Sequence, residues 1–343
     1  MMSKNSVPQR ASGSLFGMAF GDALGAQAEF LSVDEILQKF PPAGPLEPVG
    51  NPALFTDDTQ MALAVGEALL SAERPYTAAT LEGPLRQAFI AWNLSPENNR
   101  APGLTCMRAC ERLEQGLAWH QATIMNSKGC GANMRVTPVG ALPSGQDGVD
   151  EETRAAIAQF QAALTHGHPT GLAAADLTAR AIADLCAGED PAYLPQRLRA
   201  YALSQRSHYH ITWLGPLWEQ AMHFSSPQEY IARGWDECLK ALNRLDLALQ
   251  MIDRTTDPCL QTGAGWIAEE AFATGLLCFL LYPADPIAAI RRAVVSSGDS
   301  DSIACLTGAF AGAYHGLAAW PAEWIARVER REQLARLGNG WDR

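Results

Sequence analysis

The chain has 343 residues, of which 48% are hydrophobic and 18% charged, enough to bury one large core and too apolar for a mainly disordered chain. Its formal net charge of −11 disfavours nonspecific binding to nucleic acid or to an anionic membrane, both of which require clustered Lys or Arg. The eight cysteines form no CxxC pair and no Cys/His set with zinc spacing, so they read as reduced core thiols of a cytosolic protein.

The first segment, "GSLFGMAFGDALGAQAEF" (13–30), follows basic residues and carries a short apolar stretch, as a secretion signal does. Asp22 interrupts that stretch, so the reading is a helix of the mature protein, and no window reaches the ~20 apolar residues that span a bilayer. Gly17, Gly21 and Gly25 recur every fourth residue, leaving one helix face bare for close contact with another helix. Glu29 stands between Ala28 and Phe30 at the end of this segment. A buried carboxylate at this point is a candidate general base or substrate clamp.

After a Pro- and Gly-rich loop (40–52) comes "FTDDTQ" (55–60), in which Thr56, Asp57 and Asp58 open an apolar helix. Met61, Val65, Ala68 and Leu69 mark its buried face. Thr56 and the two acids can be an N-cap and a first turn favoured by the helix dipole. Further loops rich in Pro and Gly follow at 93–103, 127–148 and 166–171, and long loops inside helical domains tend to carry function. Leu177, Ala181 and Leu185 form one helical stripe; Ile303, Leu306, Phe310 and Tyr314 form another. "RAVVSS" (292–297) is the one strand-like fragment. "AEWIARVERREQLARL" (322–337) reads as a single charged amphipathic helix, and the whole chain as all-α.

"SSGDSDSIACLTGAFAGAYHG" (296–316) places Asp299, Asp301 and Ser302 at the start of another apolar helix. Two helix starts thus each offer two carboxylates and a hydroxyl. Four acids brought together without compensation repel, and a divalent cation removes the conflict. Oxygen ligands alone point to Mg²⁺ or Mn²⁺ rather than zinc, and four aspartates suffice for two ions that share a carboxylate.

"GDALGAQAEF", "FTDDTQMALAV", "ANMRVTPVG" (132–140), "THGHPTGLAAADLTARAIADL" (165–185) and the 296–316 segment, in this order, resemble the ADP-ribosylglycohydrolase family. The resemblance implies a single-domain orthogonal helical bundle over residues 13–343 with a central metal cleft, preceded by an N-terminal extension over 1–12. It implies two Mg²⁺ or Mn²⁺ ions held by Thr56, Asp57, Asp58, Asp299, Asp301 and Ser302. Glu29, Gly129, Gly131, Asn133 and His166 fall where the family approaches ADP-ribose, and Glu29, Asp58 and Asp301 are the candidate catalytic carboxylates. Val295, Ser296, Ser297 and Gly298 replace the Asn-x-Gly-Gly run common in the family, and Ser302 replaces a threonine.

The implied activity is removal of ADP-ribose from an ADP-ribosylated protein substrate, through arginine in the first instance, with an immunity role against a cognate ADP-ribosyltransferase toxin as an extension. A non-catalytic binder of such a transferase or of its modified targets is the alternative. A phosphotransferase of the haloacid-dehalogenase kind would need alternating strands and helices that this composition does not supply.

Overall fold

The computed structural model describes residues 8–145 and 148–342. Among them are eighteen α-helices and no strands, only isolated β-bridges, so the all-α expectation holds. In chain order they are α1 (Arg10–Gly25), α2 (Val33–Lys39), α3 (Asp57–Ser71), α4 (Ala78–Asn93), α5 (Leu104–Glu114) and α6 (Trp119–Ala122). Then come α7 (Thr137–Ala141), α8 (Glu151–Ala163), α9 (Pro169–Cys186), α10 (Leu194–Gln205), α11 (Ile211–Leu214) and α12 (Pro227–Met251). The last six are α13 (Cys259–Thr262), α14 (Ala268–Leu281), α15 (Pro286–Val294), α16 (Ser300–His315), α17 (Ala322–Arg327) and α18 (Arg331–Trp341). Residues 1–7 of the expected N-terminal extension lie outside the described residues, and helix begins at Arg10.

At the centre α1 and α16 run antiparallel in direct backbone contact. A Cβ added at Gly13 would lie 2.4 Å from Gly312 O, at Gly17 2.2 Å from Gly308 O, and at Gly21 1.9 Å from Ala304 O. The four-residue glycine repeat is therefore the seam between two helices. Every residue of α1 from Ala11 to Gly25 is buried, as are all those of α16 from Ser300 to Ala313. A helix apolar on all sides needs cover all round. Helices α9, α14 and α15 pack on α16, while α18 and α7 cover α1. The α3 stripe of Met61, Val65, Ala68 and Leu69 is buried as expected, and so are Leu177, Ala181 and Leu185 of α9.

Two local expectations give way. "RAVVSS" is no strand: Asp285 caps α15 by accepting from Ala288 N at 2.9 Å, Pro286 opens the helix, and it continues to Val294. The C-terminal segment is two helices. Ala53 N donates to Arg327 O (2.7 Å) and Glu329 N to Ala53 O (3.0 Å), so this backbone pairs across rather than along the chain. Arg330 then turns with φ +48° into α18. No helix among the described residues is long and apolar enough to cross a membrane. All eight cysteines are free thiols, and only Cys186 is partly exposed.

Candidate active site

The glycine seam ends at the acidic residues. A Cβ on Gly25 would meet Asp301 Cα at 2.4 Å, so the last turn of α1 lies directly on the first turn of α16. Ser300 Oγ donates to Gly25 O at 3.0 Å and fixes that meeting. The chain beyond α1 then carries Glu29 into the same space. Ligating oxygens of Glu29, Asp299 and Asp301 lie within 4.8 Å of one another. Asp299 and Asp301 are buried, and Glu29 is half-buried at the edge of the set.

The second acidic corner is brought in by Asp22, which is fully buried in α1. One of its oxygens accepts from Thr56 N at 2.9 Å, and the other from Thr59 N (2.9 Å) and Thr59 Oγ1 (2.6 Å). These bonds fasten the start of α3 to α1. Thr56 is the N-cap residue, its hydroxyl accepting from Asp58 N, so the capping reading of "TDDT" is correct as local structure. It does not account for the burial of both aspartates, because capping acids are ordinarily solvated. Asp57 Oδ2 accepts from Gly103 N at 3.1 Å. Asp58 Oδ2 is buried without a hydrogen-bond partner.

The electrostatics follow from this crowding. Burial comes first in raising Asp58 well above the carboxylate range, and the charges of Asp301, Asp22, Asp57 and Asp299 add to it. Burial, then the charge of Asp301, likewise raises Asp299, and burial with the same neighbour brings Asp22 to about 7. Asp57 rises to about 8 through burial, against the lowering effect of the Gly103 N–H. Glu29 is pushed to about 9 by desolvation and then by Asp301, Asp57 and Asp22. The conflict expected from the sequence is therefore present in the fold.

These residues fit a divalent cation. The donors are all oxygens, one buried carboxylate oxygen lacks any partner, and like charges face one another. Ser302 lies in the same turn of α16 and is buried; its own N–H donates to Asp301 Oδ1 at 3.0 Å.

The Pro-rich loops form the surroundings. Residues 93–103 are tied to the α3 start by Arg100, which donates to Phe55 O (2.5 Å) and pairs with Glu329 (2.6 Å), and by Gln60 Nε2 donating to Glu97 O (3.2 Å). The loop holding Gly129 and Gly131 is pinned on one side by Cys130 N donating to Trp266 O (3.1 Å). Lys128 anchors it further through ion pairs to Glu237 (2.8 Å) and Glu269 (2.5 Å). A Cβ on Gly131 would lie 2.6 Å from Cys106 Sγ and 3.0 Å from His166 Cε1, so no side chain fits there. His166 is buried, bonded to Thr165 Oγ1 at 2.8 Å, and held below its usual pKa by burial and by the Arg135 charge. Asn133 is fully buried and donates to Ala268 O at 3.0 Å. It joins the loop to α14, with its Oδ1 left unpartnered.

Two contributors have no counterpart in the sequence reading. Asp22 is one; its sole signal is an acid inside an otherwise apolar, glycine-patterned helix. The other is an aromatic pair at the edge. Phe30 (φ +65°, 68% exposed) stacks on Trp266 (45% exposed) with centroids 5.8 Å apart and planes at 16°. Phe30 follows Glu29, and a Cβ on Gly265, the neighbour of Trp266, would lie 3.3 Å from Asp299 Cβ, so the stack borders the carboxylates. Large exposed aromatics stacked together are an unusual surface for a soluble domain.

A helical domain whose two innermost helices deliver buried carboxylates to one loop-rimmed site defines the class of protein. The ADP-ribosylglycohydrolase family pattern matches residues 3–342, and the chain belongs to that family. It is similar to the ADP-ribosyl-[dinitrogen reductase] glycohydrolase of Rhodospirillum rubrum, 26% identical over 340 residues that cover 96% of this chain and 94% of that protein. The human ADP-ribosylhydrolase ARH3 is 25% identical over 354 residues (94% and 90%). The ADP-ribosylarginine hydrolase Tri1 of Serratia proteamaculans is 33% identical over 136 residues, 38% of this chain and 35% of that protein. A solved structure described as an ADP-ribosylglycohydrolase-related protein complex shares the fold, with a TM-score of 0.62 at 23% identity over 96% of this chain and 95% of that one.

Proposed function

We propose that the protein hydrolyses the N-glycosidic bond between ADP-ribose and an arginine side chain of a modified protein, with Thr56, Asp57, Asp58, Asp299, Asp301 and Ser302 holding two Mg²⁺ or Mn²⁺ ions. The observation that carries this reading is the burial of five aspartates against one another beside the half-buried Glu29, Asp58 Oδ2 lacking any partner. Bound there, such ions supply charge compensation and Lewis-acid polarisation.

The chain's own groups account for the remaining work. Departure of the guanidine leaves oxocarbenium character on the ribose, which Asp58 and Asp301 stabilise as fixed negative charge. Glu29, the least buried carboxylate of the set, takes the proton of the attacking water or clamps the ribose hydroxyls. The loop around Gly129 and Gly131 lies where the diphosphate would be received, and the missing side chain of Gly131 lets its backbone seat against Cys106 and His166. His166 and Asn133 shape this loop from behind its backbone. Phe30 and Trp266 offer a π face to the adenine or to the leaving guanidine. The arginine linkage draws support from the name of Tri1; the dinitrogen reductase glycohydrolase and ARH3 carry no linkage in theirs. The same hydrolysis would serve an immunity role against a cognate ADP-ribosyltransferase toxin, and a cytosolic location rests on reading the free thiols as reduced.

The test is incubation with an arginine-ADP-ribosylated protein and with a serine-linked one, each with Mg²⁺ or with EDTA, followed by detection of free ADP-ribose. Release from the arginine substrate that requires Mg²⁺ and is abolished in Asp57→Ala is expected. Release from the serine substrate alone overturns the linkage, and release that persists in EDTA overturns the metal role.

A further inference from the structure

A second convergence of ligating side chains lies among residues that the proposed hydrolysis does not use. His208 and His210 flank Tyr209 in the segment between α10 and α11, and Glu152 stands in the first turn of α8. Tyr209 is buried, edge-on to Tyr230 with ring centroids 6.1 Å apart, and its hydroxyl donates to Gly215 O at 3.0 Å. In such a segment alternate residues project to the same side, so anchoring Tyr209 on one side turns both imidazoles to the other. Their ring centroids are 4.6 Å apart.

Both rings converge on one carboxylate oxygen. His208 Nε2 lies 2.8 Å and His210 Nδ1 3.1 Å from Glu152 Oε1, and the three ligating atoms fall within 4.8 Å of one another. The neighbouring Glu151 turns instead to Arg180 at 2.5 Å, and among the described residues no Lys or Arg pairs with Glu152. His210 is 4% exposed, and its buried Nε2 has no partner, so its one polar contact is the one directed at Glu152.

We propose that Glu152, His208 and His210 bind a late divalent transition-metal ion, zinc in the first instance, with the fourth coordination position open to water. Tetrahedral zinc with ligands at about 2.0–2.2 Å sets its donor atoms about 3.3–3.6 Å apart. The observed separations need only a slight opening, which the exposed Glu152 can make. Two imidazoles and one carboxylate are a zinc, nickel or copper donor set and a poor one for Mg²⁺. The ion would clip the start of α8 to the 206–210 segment. This site shares no residue with the acidic one.

The experiment titrates the full chain with Zn²⁺ against a chromophoric chelator, in Mg²⁺ excess to occupy the acidic site, and repeats it with Co²⁺ to read tetrahedral coordination from visible absorption. The expected result is a single zinc equivalent, weakened on the order of a hundredfold by His208→Ala and by Glu152→Gln, and unaffected by Asp301→Asn. Both altered side chains are exposed, and helical circular dichroism verifies that the fold is retained. No zinc uptake by the wild type, uptake unchanged in both variants, or uptake lost only with Asp301→Asn overturns the proposal. The readout is metal occupancy, so it stands or falls separately from ADP-ribose release.

Discussion

Asp22 illustrates how one side chain connects the two acidic corners. Its oxygens hold Thr56 N, Thr59 N and the Thr59 hydroxyl, so the position of Asp57 and Asp58 depends on a residue of another helix. An asparagine there keeps one oxygen but turns an NH₂ toward backbone donors. We therefore expect Asp22→Asn to cost about 1–3 kcal/mol in urea unfolding, the penalty of a buried donor facing donors. ADP-ribose release should fall by at least about tenfold, as when catalytic geometry slips. Turnover equal to wild type would remove Asp22 from the positioning role. The contrast with the residues it positions explains what was legible. "TDDT" and "GDSDS" announce themselves because caps and acid pairs are short-range patterns. Asp22 bonds across 34 residues and Asp57 accepts from Gly103 across 46, and no local spacing encodes either contact. The Phe30–Trp266 stack joins still more distant segments and was equally hidden.

Between elements, the glycine repeat was the most informative sequence feature, since a bare face every fourth residue has few uses besides close helix contact. The partner was not legible, because α16 carries its own small residues, Ala304, Gly308 and Gly312, nearly 300 residues away. The two misread segments share a different cause. Val294 and Val295 favour a strand in isolation, and a cap at Asp285 outweighs them; the final helix has good periodicity throughout, and backbone pairing with Ala53 breaks it. The same substitution, glycine to alanine, has opposite expected effects at the seam and away from it. Gly21→Ala places a methyl 1.9 Å from Ala304 O, and separating the helices to admit it should cost about 3 kcal/mol. Gly340→Ala lies in the last turn of α18, exposed and with nothing beyond its chain neighbours within 4 Å of the new methyl, and helix propensity predicts a gain of about 0.5 kcal/mol. Thermal or urea unfolding of the two variants reads both signs. A neutral Gly21→Ala would mean that α1 and α16 are not in backbone contact.

For the molecule as a whole, the carboxylates make stability depend on pH and on cations together. Asp22 at about 7, Asp57 at about 8 and Glu29 at about 9 are all raised above their unfolded values near 4. A group raised in this way favours the folded state fully below its unfolded pKa, and that contribution is lost as pH rises through the folded pKa. These groups should therefore make the metal-free protein lose thermal stability as pH rises from about 4 to about 9, in contrast to a chain whose acids are held low by ion pairs. A divalent cation competes with protons for the same oxygens, so its benefit must grow over the same window. Differential scanning fluorimetry with EDTA and with Mg²⁺ or Mn²⁺ tests both slopes. The cation-induced rise in Tm should be larger at about pH 8.5 than at about pH 6, and Asp58→Asn with Asp301→Asn should flatten both curves. A Tm increment that is the same at every pH would show that the ions act elsewhere on the surface, and the buried carboxylates would then need another source of compensation.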